Sequence, residues 1–214
     1  MISRLHYADR VPEETGRRER KKQQTRRTLI ETAARLFAER GYEATGVADI
    51  AEAADVSKRT FFLHFPTKED VLISDGRARL DLALRVIEER EPGAPLREVL
   101  ARSLTAMIDD TAARDLPSGM AALRARLIAD SPTVQARILH AAFNAQARIA
   151  EALREAYPEV LDRTTAPSIV GAVVGAVSAA AIASLQDGDS AAETTAAMRR
   201  AAVVGLSALD ALEE

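Results

Sequence analysis

Four consecutive side chains, Ser57, Lys58, Arg59 and Thr60, place two hydroxyls and two cations within one helical turn. That set suits hydrogen bonding to a duplex: a guanidinium fork matches the acceptor pair on guanine, and hydroxyls and ammonium groups suit base edges or phosphates. Two cations in a first helical turn oppose the helix macrodipole, so the pattern is unfavourable for the helix alone and points to binding. The flanking sequence supplies the elements that would position them. Asp49 stands three residues after Gly46, spaced to bond back to the first free amides of a helix over Val47 to Ala54. Val47, Ile50, Ala51 and Ala54 put one apolar stripe on that helix. Asp55 follows where the chain must reverse, and Asp tolerates a left-handed backbone better than most residues with a Cβ. Ser57 then caps a second helix whose inward side is Val56, Thr60, Phe61 and Phe65, leaving Lys58, Arg59, Leu63 and His64 outward. Helix, tight turn and second helix make a helix-turn-helix reading unit. Thr67 with Asp70 forms a further capping box, opening a long helix predicted over Lys68 to Arg90.

Charge is distributed to match. Residues 1–68 hold 14 Lys or Arg against 10 Asp or Glu, while the remainder holds 15 against 22, within a net charge of −3. Seven of the eleven residues at 17–27 are cations and one is acidic, a segment suited to a phosphate backbone and to salt-dependent binding. Residues 1–22 are expected to form a basic, largely disordered arm.

The run from Arg26 to Leu72 resembles the DNA-binding domain of the tetracycline-repressor (TetR) family. The matching residues are Arg26, the Ala33, Leu36, Phe37 and Gly41-Tyr42 pattern, Thr45, Asp49-Ile50-Ala51, Val56-Ser57, Thr60, His64-Phe65 and Lys68-Glu69. The resemblance implies an all-α protein: an N-terminal three-helix bundle carrying the helix-turn-helix, over residues 23–83, and a larger helical effector-binding and dimerisation domain over 84–214. It implies phosphate contacts from Arg26, Thr45, His64 and Lys68, and a major-groove face made by Lys58, Arg59 and Thr60 beside the capping Ser57. Arg59 stands where the family often has glycine, adding a bidentate group for guanine. Phe62, where tyrosine is usual, lacks the hydroxyl that would reach a phosphate, and Gly46 replaces a frequent Thr or Ser.

The last two thirds divide into five or six helices with breaks at Gly93–Pro95, Leu116–Gly119, Asp130–Pro132, Tyr157–Pro167 and Gln186–Ser190. Ser131-Pro132 starts a helix predicted over Thr133 to Tyr157, with Val134, Ile138, Ala142, Ala145, Ile149 and Leu153 on one face, Leu139 and Phe143 broadening it, and His140 on the surface. Met107, Met120, Leu123, Leu127, Ile138 and Phe143 are candidates to line an effector cavity or to fill a closed core, with Arg124 as the polar residue for an anionic ligand. Residues 166–185 contain no charge over a length that would span a bilayer. Their Ala, Gly and Ser content and missing aromatic belt argue instead for a helix buried on all sides, without membrane contact. Gly171, Gly175 and Ala179 recur every four residues and suit close helix pairing. With Ala201 and Val204 they form the expected homodimer interface.

No HExxH, GxSxG or phosphate-cradling glycine loop occurs, and there is no cysteine, so the chain is not expected to be an enzyme or to carry a cofactor or metal. The absence of thiols suits a reducing cytoplasm. The expected function is transcriptional regulation, most simply repression by a homodimer that binds an inverted-repeat operator in double-stranded DNA and releases it on binding a small-molecule effector. The alternative is a DNA-binding regulator or architectural protein without a small-molecule ligand, controlled by a partner or by abundance.

Overall fold

The structure, a computed structural model, describes residues 11–212, with side chains described from 16 to 210. It is helical throughout, with no strand among the described residues, and divides into two compact units at the Val71–Leu72 bond.

In the N-terminal unit, α1 (Val11–Arg40) begins well inside the expected disordered arm. Residues 11–22 continue the helix because the segment is rich in Arg, Lys and Glu, all good helix formers; residues 1–10 of the arm lie outside the described residues. Leu29, Ala33, Leu36 and Phe37, at helical spacing, are fully or almost fully buried. Gly41, at φ +87°, ends the helix in a left-handed conformation that a Cβ would strain. Helix α2 (Val47–Ala53) starts as the sequence predicts: the Gly46 amide donates to Asp49 Oδ2 at 2.7 Å. Asp55 takes the reversal at φ +53°, and the Val56 amide closes the turn on the Ala51 carbonyl at 2.9 Å. Helix α3 (Lys58–His64) is capped by Ser57, whose hydroxyl accepts from the Thr60 amide at 3.0 Å. Phe61 and Phe65 are buried with ring centroids 5.7 Å apart, holding α3 to the core. The Thr67 amide donates to Asp70 Oδ2 at 3.0 Å and opens α4 (Glu69–Leu72).

The predicted continuous helix from Lys68 to Arg90 is broken. Residues 73–75 form a turn, with the Gly76 amide bonded to the Ile73 carbonyl at 3.1 Å, before α5 (Gly76–Glu88). Leu80, Ala83 and Ile87 on α5 belong to the core of the larger unit, which is why the division falls at residue 71 and not at 83.

That unit continues with α6 (Leu96–Asp110), a π-helical turn (Thr111–Asp115), α7 (Met120–Asp130), α8 (Pro132–Ala156), α9 (Thr165–Gln186), α10 (Ala191–Leu206) and a 3-10 turn (Ser207–Leu212). The helix breaks fall close to those expected, except that Pro167 lies inside the first turn of α9. Proline is tolerated there because its missing N–H has no partner in a first turn anyway. Ser131 precedes Pro132 at the start of α8, but its side chain makes no cap hydrogen bond; its carbonyl accepts from the Gln135 amide at 2.9 Å. Val134, Ile149 and Leu153 face the core as expected, whereas Leu139 and Phe143 are 60% and 73% exposed and do not broaden it.

Helix α9 is 22 residues long with mean hydropathy 2.1 and passes a length and composition test for membrane crossing, yet only 28% of its most apolar window is buried within the chain. The remaining surface is the part expected to pair with the same helix of a second subunit. Ile169, Val170, Val173 and Val177 face the core, while Gly175 and Ala179 lie exposed. Within the chain a close backbone approach occurs at Gly205. A Cβ on Gly205 of α10 would sit 2.7 Å from Val173 Cα, whereas one on Gly175 would meet nothing within 4 Å.

Candidate nucleic-acid interface

Lys58 and Arg59 are exposed on the first turn of α3, with Arg59 on the side opposite the buried Phe61. The hydroxyls beside them have local roles: Ser57 Oγ and Thr60 Oγ1 lie 2.9 Å apart while Ser57 caps the helix. Phe62 and Leu63 are 52% and 72% exposed. The helix thus presents cations and large apolar groups on its outward side.

Basic groups from α1 and α3 converge beside it. His64 is held below its ordinary pKa by burial first and then by the charges of Lys22 and Arg26. The Arg26 guanidinium sits 5.0 Å from the centroid of the Phe65 ring, which fixes it over the core. Lys22 belongs to the basic run at 17–27 and stands four residues before Arg26, on the same helix face.

Two expected phosphate contacts are otherwise engaged. The Thr45 side chain is fully buried and its hydroxyl donates to the Gly41 carbonyl at 2.8 Å, so that hydroxyl is not available to a phosphate. Lys68 Nζ donates to the Tyr42 carbonyl at 2.9 Å and the Thr45 carbonyl at 3.2 Å, and lies 4.0 Å from the Tyr42 ring centroid. The Tyr42 hydroxyl in turn donates to Glu69, and burial together with that carboxylate raises the phenol well above its ordinary pKa. Lys68 therefore ties the end of α1 to the start of α4.

In the larger unit the candidate effector residues are divided. Met120, Leu123 and Leu127 are buried, Met107 and Ile138 are half-buried, and Phe143 is exposed, so Phe143 lines no interior surface of the single chain. Arg124 is already occupied. It pairs with Asp115 and donates to the Leu72 carbonyl at 3.0 Å, while Arg79 Nη1 lies 2.6 Å from Asp115 Oδ2. Asp115 has no exposed side-chain surface. Burial alone would raise its pKa, but Arg124 and Arg79 outweigh that and hold it below the usual carboxylate range. The reading of Arg124 as a ready anion site is weakened accordingly: its guanidinium is already paired with Asp115, which it shares with Arg79. The π-helical turn causes this, because its extra residue per turn rotates Asp115 inward to meet side chains 36 and 9 positions away. No local pattern signals that pairing.

Of the expected dimer residues, Gly175, Ala179 and Val204 are exposed and Gly171 and Ala201 half-exposed; Val203 and Val204 stand at 70% and 69%. His140 is on the surface, 3.0 Å from Asn144.

A capped recognition helix with a basic outer turn, followed by a separate helical unit, defines a helix-turn-helix regulator. The sequence profile of bacterial regulatory proteins of the tetR family matches residues 29–74. The HTH-type transcriptional regulator TcmR of Streptomyces glaucescens is 32% identical over 170 residues, spanning 78% of this chain and 75% of TcmR. Among solved structures, the fatty acid degradation regulator FadR from Bacillus halodurans superposes with a TM-score of 0.60 at 22% identity, over 85% of this chain and 94% of that one. The FadR repressor of Thermus thermophilus, in complex with lauroyl-CoA, does so with 0.53 at 24% identity, over 84% and 94%. These two likenesses establish a shared fold. The chain belongs to the TetR family of bacterial transcriptional regulators.

Proposed function

We propose that the protein is a homodimeric repressor that binds an inverted-repeat operator in double-stranded DNA and is released by a small-molecule effector. The observation that carries the DNA-binding part is the exposed Lys58–Arg59 pair on a capped helix beside the Lys22, Arg26 and His64 group. Clustered cations raise one another's free energy, and a phosphate backbone relieves that repulsion. Within this reading Arg59 takes a guanine, Lys58 and Thr60 contact neighbouring base edges, and Arg26 and His64 hold phosphates.

The dimer reading is supported by the apolar exposed faces of α9 and α10, including Gly175, Ala179 and Val204. Large apolar groups left in water are stabilised by covering them with a second copy, and a two-fold pair of heads then requires a two-fold operator. The effector reading is supported by the apolar Met107, Met120, Leu123, Leu127 and Ile138. Because Arg124 is already paired with Asp115, the candidate side chains left to meet an effector are apolar, which favours an apolar molecule over a small anion. The lauroyl-CoA complex of the Thermus thermophilus repressor gives a family precedent for a ligand with an apolar chain.

Selection of bound fragments from genomic DNA by the purified protein, followed by footprinting, tests the reading. A two-fold symmetric site is expected, and failure to enrich any duplex at modest ionic strength refutes it. Gly175→Arg should give monomers by light scattering. If no apolar compound releases the recovered operator, control by a partner or by abundance replaces the effector.

A further inference from the structure

Among the described residues of the N-terminal unit, Leu63 and Phe62 are the two large hydrophobic side chains that stand exposed, and the core gives no reason for them. Phe61 and Phe65 on the same helix already fill the interior, at 0% and 2% exposure. Their cost in water lies on the surface that also carries the cation pair: Arg59 and Leu63 are four residues apart, as are Lys58 and Phe62, so each apolar group neighbours a cation along one helix face.

That pairing selects the occupant. A protein partner covering Leu63 would have to desolvate Lys58 and Arg59, an unfavourable step unless matching carboxylates were supplied. A major groove accepts both kinds of group at once, because guanine offers an acceptor pair to a guanidinium and thymine offers its 5-methyl group to an apolar side chain. Resting on the DNA-binding reading above, we infer that Leu63, supported by Phe62, is a specificity-determining residue that packs on a thymine methyl in each operator half-site. Four residues of helix advance about 6 Å, so this thymine lies within roughly two base steps of the guanine read by Arg59.

The test uses the full-length protein and the operator recovered from genomic DNA, resynthesised with deoxyuridine at one thymine at a time. Deoxyuridine removes only the methyl group and leaves pairing intact. The expected result is one position per half-site where the change weakens binding about fourfold, the loss of a single buried methyl. Leu63→Ala, an exposed change to a better helix former, should bind the thymine and uracil operators equally while keeping its preference for the guanine position. Phe62→Ala should reduce the methyl effect in part. Uniform insensitivity to deoxyuridine overturns the assignment. So does a Leu63→Ala protein that still discriminates thymine from uracil, or one that changes oligomeric state instead. Failure to recover any operator counts against the DNA-binding reading itself; a recovered operator without methyl dependence counts against Leu63 alone.

Discussion

The two units of this chain treat their cations in opposite ways. In the N-terminal unit Lys58 and Arg59 stand in water on the first turn of α3, and burial, helped by the charges of Lys22 and Arg26, depresses the pKa of the His64 ring. In the larger unit Arg79 and Arg124 are mostly buried and converge on one carboxylate, Asp115, that has no exposed surface. A cation kept exposed near its like costs stability and retains its field for a partner; a cation buried against an aspartate loses its external field and fixes neighbouring helices in register. The contrast separates residues that serve binding from residues that serve architecture, although their types are the same.

The comparison breaks most sharply at Asp115. Asp115→Ala leaves the buried Arg124 guanidinium without its carboxylate and Arg79 with only Asp110, 4.0 Å away, and a loss of about 3–5 kcal/mol is expected in denaturant unfolding of the larger unit. If stability changes by less than about 1 kcal/mol, the cluster is not structural. The same carboxylate gives a pH dependence of known sign. Its folded pKa lies below its unfolded value, so its contribution is complete above the ordinary aspartate range of about 3.9 and is lost as pH falls through the folded pKa. Acid melts of the wild type should therefore steepen at low pH relative to those of Asp115→Asn.

In the reading head the opposite pattern is expected. Replacing Lys58 and Arg59 together with Ala should leave the unfolding free energy within about 0.5 kcal/mol, because both are exposed. Preference for operator over random DNA should fall by about 1–3 kcal/mol per lost base contact. Competition binding against a scrambled duplex reads this directly, and unchanged selectivity would remove the pair from the interface.

Gly205→Ala sharpens the account of the larger unit. Its Cβ would meet Val173 Cα at 2.7 Å, a backbone contact that cannot rotate away, so separation of α9 from α10 at a cost of about 1–3 kcal/mol is expected in thermal unfolding. An unchanged melting temperature would mean that the two helices slide apart freely.

The smallest effect concerns His64. Its pKa in the free protein is lowered, and a nearby phosphate would raise it, so DNA binding takes up protons. Affinity measured by anisotropy over roughly pH 5.5 to 8 should strengthen as pH falls, by less than tenfold per unit, and His64→Gln should flatten the slope. A slope that survives the substitution would exclude phosphate contact by this ring.

The legibility of the sequence differs between the units for a physical reason. The capping of α2 by Asp49, the left-handed turn at Asp55, the Ser57 cap and the inward Phe61 and Phe65 are all contacts within a few residues, so periodicity and cap chemistry suffice. Thr45 and Lys68 were harder, because whether a hydroxyl or ammonium faces outward depends on carbonyls brought near by the end of α1. Phe143 misled for a related reason: apolar character predicts burial without saying whether a helix of the same chain provides it.

Residue order alone determined the helical class, the reading head and its basic outer turn, since these rest on local backbone hydrogen bonds and on the period of apolar side chains. Only the tertiary structure decided that Arg124 belongs to Asp115 and Arg79, that Gly205 packs against the Val173 backbone, and that Leu63 is left in water beside Arg59. Those outcomes depend on which faces meet once the chain has folded, and pairings between residues far apart in sequence leave no periodic trace in it.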